Sequence, residues 1–408
     1  MLFNSYEFIF AFIPLMLMLY ILSNHYASKT VSLLVLVLGS LFFYGWWNPT
    51  FVLLISCSIL FNFYLGRYLA NSKSKLILIF GITSNLLLIG YFKYFNFFGE
   101  SLSAVFNSSF NASQIILPLA ISFFTFQQIA FLVDCYKNKG REDSLLRYSL
   151  FITFFPQLIA GPIVHHKEML PQFEGDLKKN INTLNILIGL SIFSIGLFKK
   201  TVIADGIAPY ANAVFYKAGI GGDIGFFEAW SGALAYTFQL YFDFSGYSDM
   251  ALGIARMFGI ILPLNFYSPY KASNISEFWR RWHMTLSRFL RDYLYIALGG
   301  NRQGPNRRQI NLIITMLLGG LWHGAGWNFV IWGGLHGLYL VIFHVYSSVT
   351  EKVFASRIKM PSMIAWTLTF LAVVLSWVFF RATTPGSALT IINGMVGING
   401  VTVPNAIM

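Results

Sequence analysis

Charge is scarce in this chain: Asp, Glu, Lys and Arg make up only 11% of its 408 residues, against 56% hydrophobic residues and a mean hydropathy of +0.62. So little charge excludes an ordinary globular domain dissolved in water, which carries charge on about a quarter of its positions. Cysteine is nearly absent as well. Cys57 lies in one apolar run and Cys135 just after another, which excludes a disulfide framework, and neither adjoins a Cys or His at metal-ligand spacing. No Pro- or Ser-rich linker, low-complexity tract or internal repeat divides the chain, so one membrane-embedded domain over 1–408 is expected, with its core motifs at 238–337. Neither G-x-S-x-G, a Walker loop, GxGxxG nor HExxH occurs, which argues against soluble-type hydrolase, nucleotide-binding or zincin chemistry. The first apolar run carries Glu7 where a removable leader would be basic and has no small-residue cleavage site before Asn24, so it is expected to stay.

What is present is apolar length. Stretches that meet or approach the roughly 20 residues of a spanning helix recur near 6–23, 31–46, 51–66, 76–92, 115–133, 183–198, 227–242, 247–265, 310–323, 327–347 and 362–380. Runs such as Val31–Ser40 and Leu76–Gly90 lack the alternation of a barrel strand, so the fold class is all-α: a polytopic membrane protein of about ten to twelve transmembrane or re-entrant helices. Phe supplies 42 residues and Gly 34, pairing bulky lipid-facing rings with small residues that let helices approach or break, as a cavity-containing bundle needs.

The formal net charge of +12 follows from membrane topology rather than from nucleic acid, because Lys and Arg gather on the cytoplasmic side. Arg67, Lys73 and Lys75 mark one inside loop and Lys137, Lys139, Arg141 and Arg147 another, while Glu100–Ser113 between them has no basic residue; this places the N-terminus outside. The segment from Lys271 to Arg308, the densest in basic residues, is also expected to face the cytoplasm and to meet a donor or partner there.

Ionisable groups at membrane depth are costly and are functional candidates unless they pair structurally. In FQLYFDFSGYSDM, Asp243, Ser245, Tyr247 and Asp249 lie between apolar runs, with Gly246 where a helix can break; they either fix a kink or bind substrate. In SEFWRRWHMTLSRFLRDYLYIAL, Ser276 is a candidate N-cap of one amphipathic helix lying in the membrane interface. Its helical period sets Arg281, Arg288 and Asp292, flanked by Arg280 and Arg291, opposite Trp279, Leu286, Leu290 and Leu294. His283 falls in the middle of the apolar face, either as a core residue or as a catalyst. In GGLWHGAGWNFVIWGGLHG, Gly319, Gly320, Gly324 and Gly326 are expected to loosen the helix around His323 so that a reactant can come close. Neutral imidazoles can take a proton from an alcohol near physiological pH, which acyl transfer from a thioester to a hydroxyl requires, so two inward histidines would suffice. His336 ranks third, since a structural hydrogen bond explains it equally well. Trp322 and Asn328 join Asp243, Ser245, Tyr247, Asp249 and the four arginines as candidate substrate- or donor-binding residues. No metal site is expected, because His165, His166 and Glu168 lack a third ligand and are read as a solvated loop.

The stretches FDFSGYSDMALGIARMFGI, ISEFWRRWHMTLSRFLRDYLYIALGGNR and GGLWHGAGWNFVIWGGLHG resemble, in order and spacing, the membrane-bound O-acyltransferases. FFPQLIAGPIVHHKEMLPQF and the opening MLFNSYEFIFAFIPL extend the likeness to the bacterial subgroup typified by the membrane subunit of alginate O-acetylation. That resemblance implies a ring of tilted helices around a central funnel, His323 as the essential histidine, and His283 as a second one that positions or activates a substrate. It implies no bound cofactor, with acetyl-CoA as donor substrate reaching the arginine-rich segment from the cytoplasm. An SGNH-type acetyltransferase in the periplasm or outside the cell is the expected partner, passing the acetyl group to a polysaccharide such as alginate; the expected location is the bacterial inner membrane, among its lipids. The sequence departs from the pattern at His165, where a more strongly basic residue is usual, and relatives usually continue past Met408.

Readings that remain open beside this one are peptidoglycan O-acetylation and teichoic-acid D-alanylation within the same class. An ion-coupled secondary transporter is the alternative of another class, since buried Asp243, Asp249 and His323 suit a carrier too, although no inverted repeat is visible. An inactive scaffold is a third possibility.

Overall fold

A computed structural model describes residues 1–108, 110, 115–137, 140–159, 161–175, 182–354 and 360–401. Lys139, positions 109 and 111–113 of the polar stretch, and Met408 lie outside the described residues. Among those described, regular structure is entirely helical, in keeping with backbone that must satisfy its own hydrogen bonds in lipid. Among the described residues six helical segments are long and apolar enough to cross a membrane: Phe8–Tyr26, Thr50–Ser72, Lys75–Phe106, Thr183–Gly219, Trp327–Glu351 and Ser362–Arg381. Lys29–Gly45 and Ile121–Tyr136 are shorter apolar helices. Large side chains such as Leu86, Leu87, Leu187, Leu190 and Leu368 stand exposed along these spans, where lipid rather than water suits them.

The chain divides into two compact units, residues 1–197 with 246–263 and residues 198–245 with 264–408. The first contains α1 (Ile13–Tyr26), α2 (Lys29–Gly45), α3 (Thr50–Ser72), α4 (Lys75–Ile89), α5 (Phe95–Phe106), α6 (Ile121–Tyr136), α7 (Leu145–Thr153), α8 (Phe155–Leu158), α9 (His166–Glu174) and most of α10 (Thr183–Phe198). Its core is aromatic: Phe3, Phe8, Phe12, Phe43 and Phe155 form a chain of ring contacts 4.8–6.2 Å apart. Between α3, α4 and α6 lies a buried amide cluster in which Asn62 and Asn85 exchange hydrogen bonds of 3.2 and 2.7 Å. The Gln128 side-chain oxygen accepts from Asn62 and from the Ser58 hydroxyl. Arg67, near the end of α3, meets Asp143 at 3.7 Å, so the two basic stretches flanking them lie on one side of this unit.

The second unit holds α11 (Asp205–Gly219), α13 (Ile275–Arg281), α14 (Met284–Phe289), α15 (Gly304–His323), α16 (Trp327–Phe354), α17 (Ser362–Arg381) and α18 (Pro385–Met395). The helix α12 (Phe226–Met257) contributes its residues up to Ser245 to this unit and the remainder to the first. Trp332 and Trp377 stack at 5.6 Å in a core completed by Phe278 and Trp282. The pair α15 and α16 packs very tightly, because a Cβ at Gly320 would stand 2.1 Å from the Phe329 carbonyl oxygen and one at Gly333 2.3 Å from that of Met316.

Three sequence expectations are corrected here. The helix does not break at Gly246: the segments expected at 227–242 and 247–265 are one helix to Met257, followed by non-helical chain to Ser268. Small residues there serve close approach, since a Cβ on Gly196 would lie 2.6 Å from the Gly246 carbonyl oxygen. Gly319 and Gly320 do not loosen α15, which runs unbroken to His323 and is capped by extended Gly324. Finally, His165–Glu168 is not a solvated loop: His165 caps α9 reciprocally with Glu168, and His166 is buried with its Nδ1 3.6 Å from an Asp134 carboxylate oxygen.

Candidate active site

The segment expected to be one amphipathic helix is instead two short helices with His283 at the joint. Asn274, not Ser276, caps α13, its side-chain oxygen accepting from the Glu277 amide at 2.8 Å. Trp282 is then extended and His283 takes a left-handed backbone (φ 42°, ψ 53°) before α14 starts, and α14 runs into a π-helical turn, Leu290–Tyr295. A side chain bearing Cβ pays for that conformation, so neighbouring contacts must hold it there. The expected faces survive the break: Trp279, Leu286 and Leu290 are buried, Leu294 is half-buried, Arg280 and Arg291 are exposed, and Arg281, Arg288 and Asp292 lie between.

The structure brings the two principal histidines together. Their ring centroids are 6.4 Å apart, too far for a direct hydrogen bond once ring size is allowed for, and near enough for one bound group to touch both. His323, the last residue of α15, is half-buried among Trp322, Trp332 and Phe380 at 4.9–5.1 Å. His283 is 1% exposed, with the Phe244 ring edge-on at 4.8 Å and Trp322 at 6.0 Å. Its Nδ1 lies 3.1 Å from the Asn265 side-chain oxygen, and its buried Nε2 has no hydrogen-bond partner among the described residues. Burial, and secondarily the proximity of His323, push the His283 imidazole well below its ordinary pKa, so it is held neutral, the form able to accept a proton.

His336 is fully buried on α16, boxed by Trp279, Trp332 and Phe278 at 4.8–6.0 Å, with neither ring nitrogen hydrogen-bonded to a described residue. The hydrogen bond to a neighbouring helix weighed as an explanation for it is therefore not found. Trp332 touches both His323 and His336 and so belongs to this cluster, although it was not singled out from the sequence.

The other candidates scatter. Asp243 pairs with Lys200 at 2.8 Å, which also reaches Asp205 at 2.8 Å; Ser245 is buried in the same unit. Tyr247 and Asp249 fall in the other unit, where Tyr247 stacks on Phe3 at 4.6 Å. Asn328 donates to the Ala382 carbonyl and keeps a buried oxygen without a partner among the described residues. Of the arginines, Arg281 is engaged by Glu277 at 2.7 Å and stacks over Tyr267, and Arg291 pairs with Asp292 at 2.7 Å. No group of His, Cys, Asp and Glu able to hold a metal occurs among the described residues.

In this apolar polytopic bundle tryptophans pack around two neighbouring imidazoles, and the profile of the membrane-bound O-acyltransferase family matches residues 136–382. The chain belongs to this family and is an acyltransferase, a multi-pass membrane protein. It is 49% identical to a peptidoglycan O-acetyltransferase of Helicobacter pylori over 98% of this chain and 81% of that protein. It is 41% identical to a probable alginate O-acetylase of Pseudomonas aeruginosa over 94% of this chain and 72% of the relative. A teichoic acid D-alanyltransferase of Streptococcus thermophilus is 29% identical over 66% of this chain and 70% of its own length.

Proposed function

We propose that this enzyme moves an acetyl group from a cytoplasmic thioester, acetyl-CoA, toward hydroxyls of an extracytoplasmic polysaccharide. The observation that carries the reading is the closeness of His283 and His323, 6.4 Å between ring centroids, with Trp322 and Trp332 packed against them. In the proposed step the acceptor hydroxyl gives its proton to His323 as its oxygen attacks the thioester carbonyl carbon. The carbon–sulfur bond breaks, the proton passes from the His323 imidazolium to the departing thiolate, and an acetyl ester and a free thiol result. His283 orients a reactant beside it, and Arg280, Arg281, Arg288 and Arg291 are the residues that would attract the donor's phosphates, with Arg280 the exposed one on α13.

The family match draws on residues of both units, which favours reading 1–408 as one acyltransferase domain. For the acceptor, 49% identity over nearly the whole chain to a peptidoglycan O-acetyltransferase, against 41% to an alginate O-acetylase, favours peptidoglycan, with alginate-like exopolysaccharide as the second reading. We place the protein in the bacterial inner membrane with its N-terminus outside, supported by the basic stretches around Arg67 and Arg141 lying together, and expect an SGNH-type acetyltransferase as its extracytoplasmic partner. The test is the O-acetyl content of each surface polymer in strains carrying wild type, His323→Ala or His283→Ala at matched membrane levels. Loss of ester from one polymer identifies the acceptor; unchanged ester on every polymer in His323→Ala overturns the reading.

A further inference from the structure

Asn265 lies in the non-helical chain after α12, 1% exposed, and was not singled out by any motif. Its side-chain oxygen faces three groups: the Thr285 backbone N–H at 3.3 Å, the Thr285 hydroxyl at 2.9 Å and His283 Nδ1 at 3.1 Å. A backbone N–H can only donate, so the amide atom it meets must be the oxygen and not the nitrogen. An amide oxygen can only accept, so Nδ1 of His283 must carry the proton. In the neutral ring that leaves Nε2 bare, and this atom is buried with no hydrogen-bond partner among the described residues. The Asn265 carbonyl also accepts from the Met284 amide at 2.9 Å, so one residue clamps both the ring and the left-handed turn that carries it.

We infer that Asn265 is a positioning residue that locks His283 with Nδ1 protonated and Nε2 as a lone-pair acceptor, so that His283 holds an O–H or N–H of the acceptor sugar and not the thioester carbonyl. This rests on the reading that the histidine pair serves acetyl transfer to a glycan. A sugar presents several donors, so His283 can accept from one while His323 takes the proton of the reacting hydroxyl. A carbonyl oxygen needs a donor, which a bare Nε2 is not; orientation of the thioester must come from elsewhere. Fixing the tautomer of an imidazole by the partner of its other nitrogen is a general device, and losing it disables the ring without removing it.

The test uses the full chain in lipid nanodiscs, labelled with 15N-histidine, the His283 signals being identified by their absence in His283→Gln. Wild type is expected to show a protonated Nδ1 and a bare Nε2. In Asn265→Ala this pattern gives way to a tautomer mixture while the His336 signals stay in place, which separates positioning from misfolding. In cells, Asn265→Ala is expected to lower glycan O-acetylation at least about tenfold, and Asn265→Asp, whose carboxylate still accepts from Nδ1, to restore part of it. A protonated Nε2 in wild type, or an unchanged tautomer in Asn265→Ala, overturns the inference. Persistent acetylation in His323→Ala instead sinks the acetyl-transfer reading, with the NMR result deciding the tautomer by itself.

Discussion

Two buried polar clusters in this protein are built in opposite ways. In the first unit, Ser58, Asn62, Asn85 and Gln128 spend their oxygens on one another and anchor to the carbonyls of Ser58 and Gly81 one turn back, tying three apolar helices together and leaving only the Gln128 nitrogen without a partner among the described residues. In the second, His283 and His336 lie in aromatic surroundings with nitrogens that no described residue satisfies. A buried polar atom without a partner costs about 1–3 kcal/mol, so several close together call for an explanation such as a water or a bound reactant. A largely closed network holds structure, whereas imidazoles left open are available to a reactant; that contrast, more than burial or polarity alone, separates the amides from the histidines.

The contrast is broken most directly at His323. If the open cluster is the reaction site, His323→Ala should lower glycan O-acetylation by about 100-fold or more, the usual share of a general base, with membrane levels unchanged. The matching change in the closed cluster, Asn62→Leu, should do the reverse. Side-chain hydrogen bonds between membrane helices are each worth roughly 0.6 kcal/mol and at most about 1.7, so losing those of Asn62 should lower thermal stability in detergent by about 1–2 kcal/mol and leave acetylation near wild type. A variant of Asn62 that folds and abolishes acetylation would erase the distinction.

His283 sharpens the comparison through pH. It lies outside the six spans, and burial followed by the nearness of His323 depresses its pKa, whereas in the unfolded chain it titrates at the ordinary value of 6.5. The unfolded state therefore binds the extra proton first as pH falls. Stability is full above 6.5 and declines below it until the folded pKa is reached. Detergent-solubilised wild type should thus lose more Tm between about pH 7.5 and 5.5 than His283→Gln, which has no such group. Equal losses would show that the folded protein does not depress the His283 pKa below the ordinary 6.5, so that burial there does not hold the ring neutral.

Much of this was legible in the sequence, for identifiable reasons. Apolar runs announce helices because lipid leaves no other use for them, and His283 and His323 stood out because ionisable groups in such runs are expensive. The break at His283 was hidden: neither Gly nor Pro marks it, and the apolar period of Trp279, Leu286 and Leu290 continues across it because both short helices bury the same face. What makes the break is non-local, the clamp from Asn265, which is 18 positions away and reads in Pro-Leu-Asn-Phe as an ordinary turn residue. Gly246 misled in the opposite direction, since a glycine marks a close approach as readily as a bend. The pairing of Asp243 with Lys200 rather than with the histidines was equally invisible, because partner choice depends on the tertiary arrangement.

The same left-handed backbone supplies the smallest and most discriminating effect. Any residue with a Cβ at position 283 is held at φ 42° by its surroundings, at a cost of about 1 kcal/mol relative to glycine, which adopts that region freely. His283→Gly and His283→Ala both remove the imidazole, so both should lose acetylation to a similar degree. Their stabilities should differ, with His283→Gly the more stable by up to about 0.6 kcal/mol if the turn stays left-handed, since the greater freedom glycine gives the unfolded chain offsets about 0.4–1 kcal/mol of the relief. Thermal unfolding of the two variants side by side reads this directly. A more stable alanine variant would mean that the turn relaxes once the ring is gone, so that the strain is imposed by the grip of Asn265 on the histidine; a more stable glycine variant would place it in the chain path between α13 and α14.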